Sequence, residues 1–126
     1  MKILLVDDNS SITELLSQYL EVKGYQCTSR QDGRSGLDLI RSGKFDLIFL
    51  DLAMPEFSGM DLLKELSSNE LKENNIALLT ASNISDSQMK EINKVGVKSI
   101  IKKPVKLQTL VDFIESTKPK QMTSKI

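Results

Sequence analysis

The sequence predicts an α/β fold of one domain, in which helices cover both faces of a doubly wound, five-stranded parallel sheet. The length of 126 residues is that of one ordinary domain, and the composition, 40% hydrophobic and 27% charged, is typical of globular chains. Short apolar runs alternate five times with segments of helical periodicity, and no internal repeat is present. This alternation is typical of parallel sheets that are buried on both faces.

Five short runs are predicted as strands because they are apolar or rich in β-forming residues and are bounded by turn residues. The first, third and fourth are continuous apolar runs, which favours central positions in the sheet. The second and fifth are more polar, which favours edge or near-edge positions. The predicted strands are residues 3–6, 25–29, 47–50, 76–79 and 99–102.

A helix is predicted after each strand from the spacing of apolar residues and from capping residues. In the first helix, Ser11 and Glu14 offer a capping box and Gly24 closes the helix. Its apolar face is predicted to consist of Ile12, Leu15, Leu16, Tyr19 and Leu20. The other helices are predicted at residues 33–42, 58–66, 86–95 and 107–117.

The strand order 2-1-3-4-5 is adopted from known doubly wound sheets, because it places the three apolar strands in the centre. In such sheets, ligands bind beyond the carboxyl ends of the strands, near the reversal point between the first and third strands. The residues that follow the strands are therefore the first candidates for a functional site.

The composition excludes several classes of function. Lys plus Arg and Asp plus Glu both total 17, so the chain lacks the basic excess that nonspecific nucleic-acid binding requires. It has no histidine, which excludes zinc clusters built on His and Ser/His/Asp or Cys/His catalysis. A single cysteine, Cys27, rules out an internal disulfide and fits a reducing compartment. No apolar run suffices for a membrane span or a signal peptide, so we expect a cytoplasmic protein without membrane or direct nucleic-acid contact.

Acidic residues follow two neighbouring strands of the predicted sheet. Asp7 and Asp8 come after the first strand, and Asp51 comes after the third. Three carboxylates at one edge repel one another, and one of them would bind a proton unless a cation shares the site. Carboxylate oxygens together with waters are ligands that Mg²⁺ prefers. The sequence therefore predicts a magnesium site at this edge.

A hydroxyl and an ammonium group follow the remaining strands at the same edge, since Thr80 comes after the fourth strand and Lys103 after the fifth. Both groups suit an anionic phosphoryl group. With a metal ion they form a site for phosphoryl transfer to a carboxylate, in which catalysis is mostly positioning and charge neutralisation. Asp51 is predicted as the nucleophile because it stands on a central strand, opposite Lys103 and Thr80.

Each of these residues also has an ordinary structural interpretation. An Asp-Asp pair after a strand is typical of a turn or a helix cap, Lys-Pro is typical of a surface turn, and Thr80 can simply end a strand. Their conjunction at the same end of successive strands favours the functional interpretation.

Four stretches resemble the motifs of receiver domains of two-component response regulators. They are "ILLVDDN" (3–9), "LIFLDLAMPEFSGMDLL" (47–63), "LLTAS" (78–82) and "IIKKP" (100–104). The resemblance covers residues 1–117, and residues 118–126 are predicted to form a polar tail. It implies a (βα)5 flavodoxin-like fold of the single-domain, chemotaxis-receiver type.

By this resemblance, Asp51 is the phosphoacceptor and takes its phosphoryl group from a histidine kinase or a histidine phosphotransfer protein, with Mg²⁺ as the cofactor. Asp8 binds Mg²⁺ directly, Asp7 binds it largely through water, and Ala53 contributes its backbone carbonyl. The domain is then a signalling module rather than an enzyme, and it catalyses only its own phosphorylation and dephosphorylation.

The resemblance also implies a switch. Thr80 and Lys103 contact the phosphoryl oxygens, and the bond between Lys103 and Pro104 is expected to be cis. Receivers commonly carry Tyr or Phe three residues before this lysine, where this chain has Ile100. Ile100 either simply packs in the strand, or marks a switch that relies on Thr80 and on loop movement.

Two further positions influence how water reaches the acyl phosphate in the family, and this chain has Ala53 and Ser82 there. Neither side chain is an acid or an amide suited to positioning water. We therefore expect slow self-dephosphorylation.

The signal is expected to pass through protein contact. Residues 98–126 hold seven lysines against Asp112 and Glu115, which is typical of a solvated face and alternatively suits an acidic partner. No DNA-binding, kinase or cyclase region follows the last helix, so we expect an unknown downstream protein effector, unless the chain is a piece of a longer protein. A monomer or a phosphorylation-dependent dimer is expected.

Three other interpretations compete with this one. A phosphatase of the haloacid dehalogenase type needs a second acid two residues after the nucleophile, where this chain has Ala53. A flavin or nucleotide binder needs a Gly-, Ser- or Thr-rich loop after the first strand, where Asp7 and Asp8 would repel a phosphate. A non-phosphorylated scaffold receiver would lack a site residue, and none is missing.

Overall fold

The computed structural model of the protein describes residues 1–80, 84–97 and 99–117. The strands are β1 Lys2–Val6, β2 Gln26–Arg30, β3 Leu47–Asp51, β4 Ile76–Thr80 and β5 Ser99–Lys102. They form one parallel sheet in the order β2-β1-β3-β4-β5, which confirms the predicted fold class and strand order. Each predicted strand lies within one residue of its observed bounds.

The helices of the described chain number one more than predicted. They are α1 Ser10–Val22, α2 Gly33–Ser42, α3 Gly59–Glu65, α4 Ser68–Glu73, α5 Asp86–Val95 and α6 Leu107–Thr117. Helix α4 is the unpredicted one. It is held by a capping box between Ser67 and Glu70 and has no buried residue, so it lacks the apolar periodicity that reveals a helix in a sequence.

The first helix begins earlier than the sequence suggested. Asn9 is its N-cap, and the Asn9 side chain accepts a hydrogen bond of 3.2 Å from the backbone N–H of Ile12. The predicted capping box between Ser11 and Glu14 is therefore wrong. Asn is as good an N-cap as Ser, and the residue that immediately follows the strand loop takes this position.

The hydrophobic core has two layers, one on each face of the sheet. Alternate residues of β1 enter opposite layers: Leu4 and Val6 pack with α2, α3 and α5, whereas Ile3 and Leu5 pack with α1 and α6. Strands β3 and β4 are buried along their whole length, and β2 and β5 are only partly buried, as expected for edge strands. This packing fixes the central strands, and with them the groups at their ends.

The buried face of α1 is narrower than predicted. Leu16 and Leu20 are buried against the sheet, but Ile12 and Leu15 are 42% and 57% exposed. Val22 on the same helix is 85% exposed. The prediction that Ile12 and Leu15 face the core is wrong, because α1 is turned so that Thr13, Leu16 and Leu20 face the sheet.

The carboxyl ends of β1, β3 and β4 lie at one edge of the sheet. The register pairs Val6 with Leu50 and Thr80 with Lys102, so the residues that end or follow these strands are neighbours. The predicted tail at 118–126 and Ser82 lie outside the described residues. None of the helices in the described part of the chain has the length and apolar character needed to cross a membrane.

Candidate functional site

Three aspartates meet at the carboxyl ends of β1 and β3. Asp7, Asp8 and Asp51 each offer a carboxylate oxygen, and these oxygens lie within 4.8 Å of one another. Asp7 is 2% and Asp51 is 3% exposed, whereas Asp8 is open to solvent. The structure therefore brings together the acidic residues that the sequence predicted. The site is buried at Asp7 and Asp51 and open to solvent at Asp8.

Local backbone contacts hold one oxygen of each buried carboxylate. Asp7 Oδ1 accepts a hydrogen bond of 3.0 Å from the N–H of Asn9, which begins the turn into α1. Asp51 Oδ1 accepts one of 3.2 Å from the N–H of Ala53. Each carboxylate consequently keeps its Oδ2 for partners from elsewhere in the fold.

Lys103 bridges the two buried carboxylates. Its Nζ lies 3.0 Å from Asp7 Oδ2 and 3.1 Å from Asp51 Oδ2. The Lys103 backbone is anchored by a 2.7 Å hydrogen bond from its N–H to the carbonyl of Thr80, and the following bond to Pro104 is cis. Partial burial lowers the pKa of Lys103, but its contacts with Asp7 and Asp51 outweigh this and raise the pKa above its ordinary value.

One lysine does not neutralise the site. Burial, and then the charge of Asp7, raise the pKa of Asp51, and the opposing contacts with Lys103 and with the Ala53 N–H do not reverse this. The net effect is that ionised Asp51 is held in an unfavourable environment. A second cation is the kind of ligand that would relieve it.

The site residues fit a divalent cation. Three carboxylates supply oxygen atoms, one of the three is exposed, and Ala53 in the loop after β3 is exposed as well. Mg²⁺ takes few protein ligands, keeps several waters and prefers oxygen donors, so an open cluster of this kind suits it. Asp7, Asp8, Asp51 and the carbonyl of Ala53 are the groups that would hold it.

Thr80 ends β4 beside this cluster. Its side chain is 2% exposed, and its Oγ1 has no hydrogen-bond partner among the described residues. A buried hydroxyl without a partner is costly and is typical of a group that serves a ligand. Ile100, three residues before Lys103, is half-buried and packs against the core layer of α2, α3 and α5.

A glycine that sequence analysis did not assign to the site shapes the loop after β3. A Cβ on Gly59 would collide with the carbonyl oxygen of Asp51 and would lie 2.8 Å from the Cα of Leu52. The Gly59 N–H instead donates a 3.0 Å hydrogen bond to the Leu52 carbonyl. The position of this glycine directly after the Ser58 cap was the available signal, but only the fold shows which backbone it approaches.

A cavity among the described residues lies away from this site. It has a volume of about 590 Å³ and is lined by the beginnings of β4 and β5, including Ile76 and Ser99. That edge of the sheet is opposite to the one that carries the aspartates. The candidate site itself is charged and is open to solvent at Asp8.

Comparison with families shows a match of residues 3–115 to the family described as response regulator receiver domain. Among curated proteins, the chain is 32% identical to chemotaxis protein CheY of Pseudomonas aeruginosa, over 91% of this chain and 94% of that protein. It is 31% identical to chemotaxis protein CheY-3 of Vibrio cholerae, over 91% of this chain and 89% of that protein.

Solved structures show the same likeness. Chemotaxis response regulator CheY4 of Vibrio cholerae superposes with a TM-score of 0.80 at 29% identity, covering 93% of this chain and 98% of that one. Response regulator TrrA of Thermotoga maritima, solved in complex with Mg²⁺ and BeF, superposes with a TM-score of 0.76 at 27% identity and the same coverage.

Proposed function

Since the chain belongs to the response regulator receiver family, we propose that it accepts a phosphoryl group on Asp51 from a histidine kinase or a histidine phosphotransfer protein, in a Mg²⁺-dependent reaction. The observation that carries the proposal is the position of Lys103, whose ammonium group contacts Asp7 and Asp51 together at the edge where Asp8 lies open to solvent. The crystallised Thermotoga relative holds Mg²⁺ and BeF, which supports the same chemistry at this site.

The roles of the chain's own residues follow from their contacts. The Ala53 N–H engages Asp51 Oδ1, which leaves Oδ2 to attack phosphorus. In that step an O–P bond forms on Asp51, the P–N bond of the donor phosphohistidine breaks, and the imidazole leaves. Bound Mg²⁺ would supply positive charge to the phosphoryl oxygens and to the carboxylates around them.

Lys103 and Thr80 then stabilise the product. Lys103 transfers its ion pair from the Asp51 carboxylate to a phosphoryl oxygen, while keeping its contact with Asp7. The hydroxyl of Thr80, which has no hydrogen-bond partner among the described residues, donates to another phosphoryl oxygen, which moves the end of β4. Ile100 on the neighbouring strand is half-buried and packs against the core, so the switch relies on Thr80 and on loop movement.

The output is contact with a downstream protein. The domain acts in the cytoplasm as a monomer or as a phosphorylation-dependent dimer, and residues 1–117 form the receiver.

The exposed methyl group of Ala53 beside Asp51 does not position water, so the acyl phosphate is long-lived.

Intact mass tests the proposal. With acetyl phosphate and Mg²⁺ the protein should gain the mass of one phosphoryl group, and the gain should disappear with a chelator or in the Asp51→Asn variant. An unchanged mass with Mg²⁺ would instead support a scaffold receiver, and a gain in the Asp51→Asn variant would place the acceptor elsewhere. Steady hydrolysis of para-nitrophenyl phosphate would support a phosphatase.

A further inference from the structure

The N-terminus of α2 contacts the loop that connects Asp51 to α3. The guanidinium carbon of Arg34 lies 4.2 Å from the centre of the Phe57 ring. A Cβ on the neighbouring Gly33 would lie 2.5 Å from the Phe57 carbonyl oxygen and 2.7 Å from its Cδ2. The guanidinium group of Arg34 thus lies over the Phe57 ring, and the backbone of Gly33, which has no side chain, lies close to Phe57.

The loop held in this way is strained. Glu56 has a φ of 66°, in the left-handed region that residues other than glycine rarely adopt, and the Phe57 N–H donates a 2.7 Å hydrogen bond to the Pro55 carbonyl. Strained backbone persists where surrounding contacts hold it. Phe57 follows Glu56 in the chain, and its side chain contacts α2 and the core. These contacts hold the strained backbone in place.

The same loop contains Ala53, whose carbonyl is a proposed ligand of the cation. The far end of the loop is held by the hydrogen bond from the Gly59 N–H to the Leu52 carbonyl. Between these points, Met54 is buried in the core and Phe57 contacts both the core and α2, so contact with α2 is one of the restraints on the loop. A cation that binds only the restrained loop has its apparent affinity reduced by the fraction of molecules in which the loop is released.

We infer that Arg34 and Gly33 clamp Phe57, and that this clamp sets the affinity of the three-aspartate site for Mg²⁺ without touching the ion. The inference rests on the proposed function, because it concerns the same cation. Arg34, Gly33 and Phe57 are positioning residues, since they act through the loop.

The Arg34→Ala variant gives a sharp test, because two mechanisms predict opposite results. If Arg34 acted only as a positive charge near the aspartates, its removal would tighten Mg²⁺ binding. Loss of the clamp should instead weaken binding, by at most ~5-fold, which is the full energy of an exposed cation–π contact. Arg30→Ala is the matched control, since Arg30 is an exposed arginine at the same edge of the sheet whose side chain donates to the Ser29 carbonyl.

Calorimetric titration of the full chain with Mg²⁺ should show weaker binding in Arg34→Ala and not in Arg30→Ala. Gly33→Ala and Phe57→Leu should also weaken it, and Arg34→Ala should add little in the Phe57→Leu background, because both changes release the same contact. Amide exchange at Phe57 and Gly59 should accelerate in each weakened variant. If Gly33→Ala does not fold, the other two variants carry the test.

The two proposals fail differently. Absence of Mg²⁺ binding by the parent protein overturns the proposed function and the clamp with it. Normal binding by the parent, combined with equal affinities of Arg34→Ala and Arg30→Ala, overturns the clamp alone. A loss of unfolding free energy in Arg34→Ala without a change in Mg²⁺ affinity also overturns it, because the contact is then merely structural.

Discussion

The ammonium group of Lys103 lies 3.1 Å from Oδ2 of Asp51, so the chain beyond edge strand β5 supplies the counter-charge for the end of central strand β3. The same group contacts Asp7 at 3.0 Å. Under the proposed function, this geometry would give Lys103 two tasks: to stabilise the acidic edge before phosphorylation, and to contact the phosphoryl group afterwards.

Replacement of Lys103 by Met should separate these tasks. Two buried carboxylates lose their ammonium partner, so the unfolding free energy at neutral pH without Mg²⁺ should fall by about 1–3 kcal/mol, less than for a fully buried pair because Lys103 is part-exposed. Mg²⁺ should bind more tightly than to the parent, since the competing positive charge is gone. Urea denaturation with and without Mg²⁺ measures both effects.

The control for this change is Lys102→Met, at an exposed lysine next to it in the chain. It should alter neither stability nor Mg²⁺ affinity beyond the small effect of a surface charge. Equal effects of the two substitutions would show that net charge, rather than the bridge to Asp7 and Asp51, explains the result.

The Asp51→Asn variant should be more stable than the parent at neutral pH without Mg²⁺. The fold raises the pKa of Asp51, so the ionised carboxylate destabilises the folded state above that pKa. Removal of the charge should add on the order of 1 kcal/mol to the unfolding free energy. The gain should shrink as the pH falls through the pKa of Asp51, because the parent then becomes neutral at this position too.

Denaturation of both proteins over a pH series checks this sign. Mg²⁺ should stabilise the parent more than the variant, since the variant has lost one anionic ligand. A variant less stable than the parent at neutral pH would mean that the Lys103 ion pair outweighs the burial and repulsion at Asp51.

The N-cap of α2 gives a pH dependence of the opposite sign. Asp32 accepts hydrogen bonds of 2.8 Å from both the backbone N–H and the hydroxyl of Ser35, which lower its pKa from 3.8. Its contribution is therefore fully present above 3.8 and is lost as the pH falls through the lowered pKa. Asp32→Ala should cost about 1 kcal/mol at neutral pH, with the cost shrinking in acid.

Asp32→Asn separates the cap from the charge, because an amide oxygen still accepts the hydrogen bonds but does not titrate. Its stability relative to the parent should change little at neutral pH. If the difference between Asp32→Ala and the parent stayed constant down to the acid limit of folding, the carboxylate would not be the source of the stabilisation.

The site was accessible from the sequence because parallel strands end at one edge. Asp7, Asp51, Thr80 and Lys103 each end or immediately follow a strand, so a correct list of strands and their order was sufficient to bring them together. What could not be predicted are contacts between a helix and an irregular loop. The approach of Gly33 to Phe57 depends on how α2 packs against a loop of irregular backbone, and no local pattern encodes it.

The strands and the longer helices of the fold were also predicted from the sequence, because each has a recognisable local pattern. Apolar strands and helices longer than about two turns leave a periodic signal, whereas α4 is short, exposed and held by the capping box of Ser67 and Glu70, with an added ion pair of 3.0 Å between Arg41 and Glu70. The sequence pattern of a capping box occurs too often to identify a helix by itself. Ser11 and Glu14 have this pattern, but the N-cap of α1 is Asn9.

The sequence analysis predicted the wrong rotation of α1 on the sheet. Mutations can test which face of α1 is buried. Leu20 is fully buried, whereas Leu15, five residues earlier on the same helix, is 57% exposed. Leu20→Ala should lower the unfolding free energy by about 2–5 kcal/mol, because it removes buried methyl groups and leaves a cavity. Leu15→Ala should stay within about 0.5 kcal/mol of the parent, as is usual for surface positions.

The two substitutions are chemically identical and lie on one helix, so helix propensity cancels between them and only burial differs. Equilibrium urea unfolding with an unchanged slope against denaturant gives the two free energies on one scale. Similar losses at both positions would mean that α1 is rotated relative to the sheet so that Leu15 reaches the core. Such a rotation would also move Asn9, whose N–H holds Asp7 at the acidic edge.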